Sequence, residues 1–95
     1  MTTVEMKDVL YNKLKDEGCY FKKSDISIRR KKNGYTVIIK DYEHIPFTIT
    51  EDIDDYFGYI LYVDREYNLD FIDSKNGFDY FTAMLRLGYY IGTRF

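Results

Sequence analysis

Cysteine, histidine and proline each occur once in this 95-residue chain, and tryptophan does not occur. A lone cysteine excludes an intramolecular disulfide and any cysteine-rich zinc site. Cys19 and His44 could act as a nucleophile and its base only if they converged with a carboxylate. Cys19 follows a predicted helix C-terminus, where the negative end of the dipole does not favour a thiolate, and His44 precedes Ile45-Pro46 in a predicted loop. The chain contains neither G-x-x-x-x-G-K nor G-x-G-x-x-G, so no local motif cradles a nucleotide phosphate. Asp64, Glu66 and Asn68 alternate like the start of a calcium loop, but Leu69 stands where that loop needs glycine and Lys75 where it needs a bidentate glutamate. No metal, cofactor or catalytic residue is expected, and the chain reads as a non-enzyme.

Long apolar runs are missing too. The most conspicuous, residues 56–63, has eight residues, against about 20 needed to span a bilayer. Residues 1–7 carry no charged leader followed by an apolar stretch. These features lead to the expectation of a cytoplasmic protein with no membrane partner. Scarce proline and alanine beside abundant Ile, Lys, Tyr, Asn and Asp match AT-rich coding, as in low-GC bacteria and their phages.

The chain is rich in aromatics and in segregated charge. Eleven Tyr and seven Phe exceed what a core of this size absorbs, so some aromatic surface must face outward, as half-buried amphipathic side chains or as a binding face. Net charge is only −2, yet residues 7–40 carry ten Lys or Arg against four Asp or Glu, and residues 41–73 carry ten acidic residues against Arg65 alone. Such asymmetry points to a charged partner, or to two halves that neutralise one another when folded or head-to-tail between molecules. The length fits one domain, residues 1–95.

Helical spacing of Val4, Val9, Leu10 and Leu14 predicts a first helix over 3–17, with Thr2 and Glu5 as a capping box and Gly18 as the stop. Two β-prone runs then flank Asn33-Gly34, which predicts a hairpin with a two-residue type I′ turn, pairing Lys32 with Tyr35, Arg30 with Val37 and Ile28 with Ile39. Period-2 alternation places Ile26, Ile28, Val37 and Ile39 on one core face. Residues 45–50 alternate as a third strand, with Pro46 suited to an edge strand or a strand start. Thr50 followed by Glu51, Asp52, Asp54 and Asp55 resembles a helix start, and Ile53, Tyr56, Phe57, Ile60 and Leu61 continue at helical steps. The competing reading breaks that helix at Gly58 and makes 59–63 a strand hairpinned to 68–72; helix is slightly preferred. Phe78, Phe81, Met84 and Leu85 predict a last helix ending near Gly88, followed by an extended segment at 89–91. The expected class is α+β: an N-terminal helix, a three-stranded antiparallel sheet and C-terminal helical elements packed on it.

Two surfaces invite partners. The acidic, tyrosine-bearing stretch, with Asp52, Asp54, Asp55, Tyr56 and Tyr59, presents carboxylates suited to a basic groove on a protein partner. The alternative is a nucleic-acid-binding accessory in which Arg29, Arg30, Lys31 and Lys32 displace counterions from phosphates and Tyr35 stacks on a base. A sequence pI near 5.3 opposes dedicated nucleic-acid binding. The working expectation is a small protein-interaction module, of the size and composition of a phage or mobile-element inhibitor, whose tyrosines would also serve a homodimer.

The core assignment is directly testable. Ile39→Asp or Ile28→Asp places an unpaired charge against the core face of the hairpin, and should remove several kcal/mol from a fold of ordinary stability, about 5–15 kcal/mol. Circular-dichroism melts within a few degrees of wild type for both variants would overturn the assignment.

Overall fold

The computed structural model describes residues 1–44, 46–54, 58–63, 67–72 and 79–94, with side chains described in 1–44, 46–50 and 79–94. The chain opens with α1 (Thr3–Asp16), whose ends are both set by local sequence. Thr2 Oγ1 accepts from the Glu5 N–H at 3.2 Å, and the Thr2 N–H donates to the Glu5 carboxylate at 3.1 Å, which completes the expected capping box. At the other end Gly18 takes φ +85°, with its N–H donating to Lys15 and that of Cys19 to Leu14. This double bond pattern closes the helix where glycine alone is free of Cβ strain.

After one 3-10 turn, Lys23–Asp25, come β1 (Ile26–Lys31), β2 (Gly34–Ile39), β3 (Phe47–Asp54), β4 (Gly58–Val63) and β5 (Tyr67–Ile72), then α2 (Tyr80–Arg94). The three expected strands are adjacent and antiparallel, and β4 and β5 extend them into one five-stranded meander in sequence order. Both helices cover one face. Met6, Leu10 and Leu14 of α1 and Ala83, Met84, Leu87 and Ile91 of α2 meet Ile26, Tyr35, Val37, Ile39, Phe47 and Ile49 in one buried cluster. Each large apolar side chain so buried contributes about 1.5–3 kcal/mol. The described tyrosines divide: Tyr35 is in the core, Tyr11, Tyr42, Tyr80 and Tyr90 pack partly buried against it, and Tyr20 and Tyr89 are exposed. Among the described residues no helix is long and apolar enough to cross a membrane.

Three expectations are corrected. The hairpin pairs Ile26 with Ile39, Ile28 with Val37 and Lys31 with Gly34, so its turn is Lys32 and Asn33, one residue earlier than expected. Every cross-strand partner moves by two residues, which preserves the core face. Only Asp41 among the described non-glycine residues has positive φ, so Asn33 does not adopt the left-handed backbone of a type I′ turn. Gly34 is needed in the ladder instead: at φ +152°, an added Cβ would lie 1.8 Å from the Ile49 carbonyl oxygen.

The helix preferred from Thr50 onward is not formed: β3 runs on to Asp54, which neither reading expected, and β4 and β5 match the hairpin of the competing reading. A helix through Gly58 would lose about 1 kcal/mol, and residues 59–63 are a β-branched and aromatic run that gains more by pairing between β3 and β5. Pro46 accordingly precedes a strand start, and β3 lies inside the sheet.

The third correction concerns the last helix, which passes through Gly88 to Arg94, so residues 89–91 are helical. A Cβ at Gly88 would meet Lys13 Cγ at 2.6 Å, and one at Gly92 would meet Glu17 Cβ at 2.5 Å. These glycines, four residues apart, are where α1 lies against α2. Asp79 begins α2: its carboxylate accepts from the Thr82 N–H at 3.2 Å and the Thr82 hydroxyl at 2.7 Å. Chiefly through the Thr82 side chain, these bonds hold the Asp79 carboxyl below its ordinary value. The cap therefore stabilises fully above the usual carboxylate range, and its contribution fades as pH falls through the depressed value.

Gly34→Ala should be among the most damaging single-methyl additions, because the clash is with backbone of a central strand. Gly18→Ala, where the added methyl meets nothing within 4 Å but φ stays positive, should cost only about 1 kcal/mol. Urea melts of the two variants check the order; equal loss would show that Gly34 is not held against Ile49.

Candidate interaction surface

The cationic run Arg29 to Lys32 is divided by the strand that carries it. Side chains alternate across a strand, so Arg30 shares the helix-covered side of β1 with Ile26 and Ile28, while Arg29 and Lys31 share the opposite side with Ser27. Arg30 sits at the rim of the core with its guanidinium carbon 5.0 Å from the Tyr35 ring centre. Hydrogen bonding to Tyr35 is the main cause that holds its pKa above the ordinary arginine value. Tyr35 is 8 % exposed and meets Tyr80 edge-on at 5.2 Å. A ring so buried, with Arg30 against it, offers little to a stacking base.

Lys31 turns the other way. Lys31, Gly34 and Thr50 form one row across β1, β2 and β3. Because Gly34 has no side chain, the Lys31 Nζ passes over it and donates to Thr50 Oγ1 at 3.2 Å. Of the five residues of the basic site, the structure thus brings Arg30 and Tyr35 together, draws Lys31 toward β3, and leaves Arg29 and Lys32 exposed.

The acidic residues gather at the same end of the sheet. β2 begins at Gly34, opposite Thr50, whereas β3 continues for residues 51–54 and pairs there with β4. Asp52 is opposite Ile60, Ile53 opposite Tyr59, and Asp54 opposite Gly58. Asp52, Asp54 and Tyr59 thus belong to an arm of the sheet made by β3, β4 and β5, not to a helix start, while Asp55 and Tyr56 lie outside the described residues. The dipole argument that drew attention to the aspartates does not apply on a strand; what remains is a run of carboxylates beyond the end of β2.

Two further surfaces escaped sequence reasoning. Phe81 is 50 % and Tyr89 55 % exposed on α2, with half-buried Leu85 midway between them. The four-residue spacing was legible, but in the sequence Phe81 and Leu85 marked only a helix, not which of its sides faces outward. Lys13 Nζ lies 5.9 Å from the Tyr89 ring centre, and a shallow groove of about 320 Å³ runs past Lys13, Thr82, Leu85, Arg86 and Tyr89. A second groove of about 320 Å³ lies between α1 and β1, lined by Val4, Lys7, Asp8, Lys23, Ser27 and Ile28 among others. Lys23 forms an ion pair with Asp8 at 3.0 Å. Among the described residues, no three His, Cys, Asp or Glu are grouped to hold a metal ion.

Because Tyr35 is buried and Lys31 engaged, the protein should not retain single-stranded or duplex oligonucleotides even at low salt. Fluorescence anisotropy checks this. Binding that falls steeply with salt and disappears in Arg29→Glu/Lys32→Glu would restore the basic tip as a nucleic-acid site. No family model matches this chain, nor does any curated protein or solved structure.

Proposed function

We propose that this protein is a non-enzymatic interaction module that engages a basic groove on a protein partner through its acidic β3–β4 hairpin, acting as an inhibitor of that partner. The observation that carries this reading is the overshoot of β3. Four residues, Glu51, Asp52, Ile53 and Asp54, extend past β2, so the densest carboxylate run of the chain stands on an arm of the sheet made by β3, β4 and β5, with the β2 side of β3 left open there. An open strand edge lined by carboxylates gives a basic partner both backbone groups and charge to meet. Carboxylates at alternate positions of a strand are spaced about 6.5–7 Å apart, a repeat that suits opposing basic side chains. Tyr56 and Tyr59 would supply the large rigid contacts that dominate such interfaces. The alternative, a nucleic-acid accessory acting through the basic hairpin, has less support because its aromatic residue is in the core. Composition matching low-GC bacteria and their phages suggests where such an inhibitor would act.

Asp52→Asn/Asp54→Asn/Asp55→Asn should leave the thermal midpoint within a few degrees of wild type, since neighbouring like charges in water repel by only tenths of a kcal/mol each. Partner binding should weaken at least about tenfold, chiefly through a slower on-rate, with the difference shrinking at high salt. Surface plasmon resonance against a partner crosslinked to the wild-type arm measures both rates. An unchanged on-rate would exclude the carboxylates, and a loss produced by Phe81→Ser alone would move the interface to α2.

A further inference from the structure

The outer edge of β1 carries a second, independent surface. β1 is a terminal strand of the sheet, so among the described residues one side of its backbone has no strand beside it. Which groups face that side follows from one bond: the Lys40 N–H donates to the Asp25 carbonyl at 2.8 Å. Asp25 and Lys40 are therefore a hydrogen-bonded pair, and antiparallel ladders alternate such pairs with non-bonded ones. Ser27, Arg29 and Lys31 accordingly bond inward to β2, whereas Ile26, Ile28 and Arg30 direct their N–H and C=O groups outward. The groove between α1 and β1 lies beside this strand, with exposed Val4 and half-buried Ile28 as apolar lining, Lys7 at its side, and Lys23 there paired with Asp8.

Charge selects the occupant. Residues 22–32 carry Lys22, Lys23, Arg29, Arg30, Lys31 and Lys32 against Asp25 alone. An edge this basic repels a second copy of itself, which is how natural sheets guard their edges, but attracts an extended segment of opposite charge. We infer that the β1 edge binds an acidic, extended segment of another protein by strand addition, with apolar side chains entering the groove beside Val4 and Ile28. Main-chain bonds to Ile26, Ile28 and Arg30 would supply affinity and the cations the choice of partner. This surface does not depend on the acidic hairpin, and the Asp52→Asn/Asp54→Asn/Asp55→Asn variant should bind the same segment as wild type.

The probe is a short labelled peptide alternating valine with glutamate, compared with its lysine counterpart by fluorescence anisotropy. The glutamate peptide should bind and the lysine peptide should not. Lys7→Glu/Arg29→Glu, at residues on the surface of the fold, should abolish binding. Arg30→Pro removes an outward N–H while sparing the ladder to β2, and should weaken binding at least about tenfold, a loss of about 1.4 kcal/mol. Arg30→Ala, which loses the same side chain but keeps the N–H, should stay within about threefold of wild type. Should the proline variant fail to fold by circular dichroism, hydrogen exchange on the wild type decides: added peptide must slow the Ile28 and Arg30 amides. Proline and alanine variants that bind alike would reduce the effect to plain charge attraction. Failure of the glutamate peptide to bind, or amide protection confined to β5 or α2, would overturn the proposal. So would concentration-dependent self-association that the peptide reverses, since a second copy would then be the occupant.

Discussion

Two helices share one face of this sheet because they touch at glycine. Strands lie roughly 4.8 Å apart, and packed helices about 8–10 Å. The pair covers the core strands only if α1 and α2 approach to the near limit of that range. Gly88 and Gly92 permit this, receiving the aliphatic stems of Lys13 and Glu17 in place of side chains of their own. The Lys13–Glu17 ion pair, 2.9 Å long and partly exposed, runs along the C-terminal end of α1 beside the seam. As a charge pair it is worth only about 0.3–0.5 kcal/mol; its larger service is to hold two hydrocarbon stems over backbone. The Cys19 thiol, 3.9 Å from the Gly92 carbonyl, closes the end of the same contact.

A second glycine organises the sheet in a related way. At Gly34 the missing side chain lets β2 lie against Ile49 and lets Lys31 cross to Thr50, so the basic end of the hairpin leans toward the acidic half of the chain. Among the described residues, the strand features left without a neighbouring strand include the β2 side of residues 51–54 in β3 and the outer edge of β1. Opposite signs at two strand features suit a small protein that selects partners by charge.

The sequence made local features legible and tertiary ones ambiguous. Thr2, Glu5 and Gly18 delimit α1 because caps act over a few residues and carry their own hydrogen bonds. The core face of the first hairpin was readable because alternation survives an even shift in register; the turn position was not, because Gly34 answers to Ile49, fifteen residues away in the chain. Residues 51–61 satisfied a helical period by chance, and only pairing with neighbouring strands decided against it. Gly88 looked like a stop because its use is contact with α1, which no local pattern announces. The candidate surfaces divide in the same way: the acidic and basic runs were visible as composition, while the arm and the open strand edge are products of topology.

The contact between α1 and α2 joins the first and last helices of the described chain, with every strand synthesised in between. On the ribosome, the apolar sides of Met6, Leu10 and Leu14 are finished early, yet their partners Met84, Leu87 and Ile91 emerge only after the whole sheet. Cooperative folding must therefore await the emergence of α2, and until then the nascent segment carries uncovered strands and half of a core. A fold closed by its first and last helices leans on a chaperone at the tunnel exit more than one whose core closes locally.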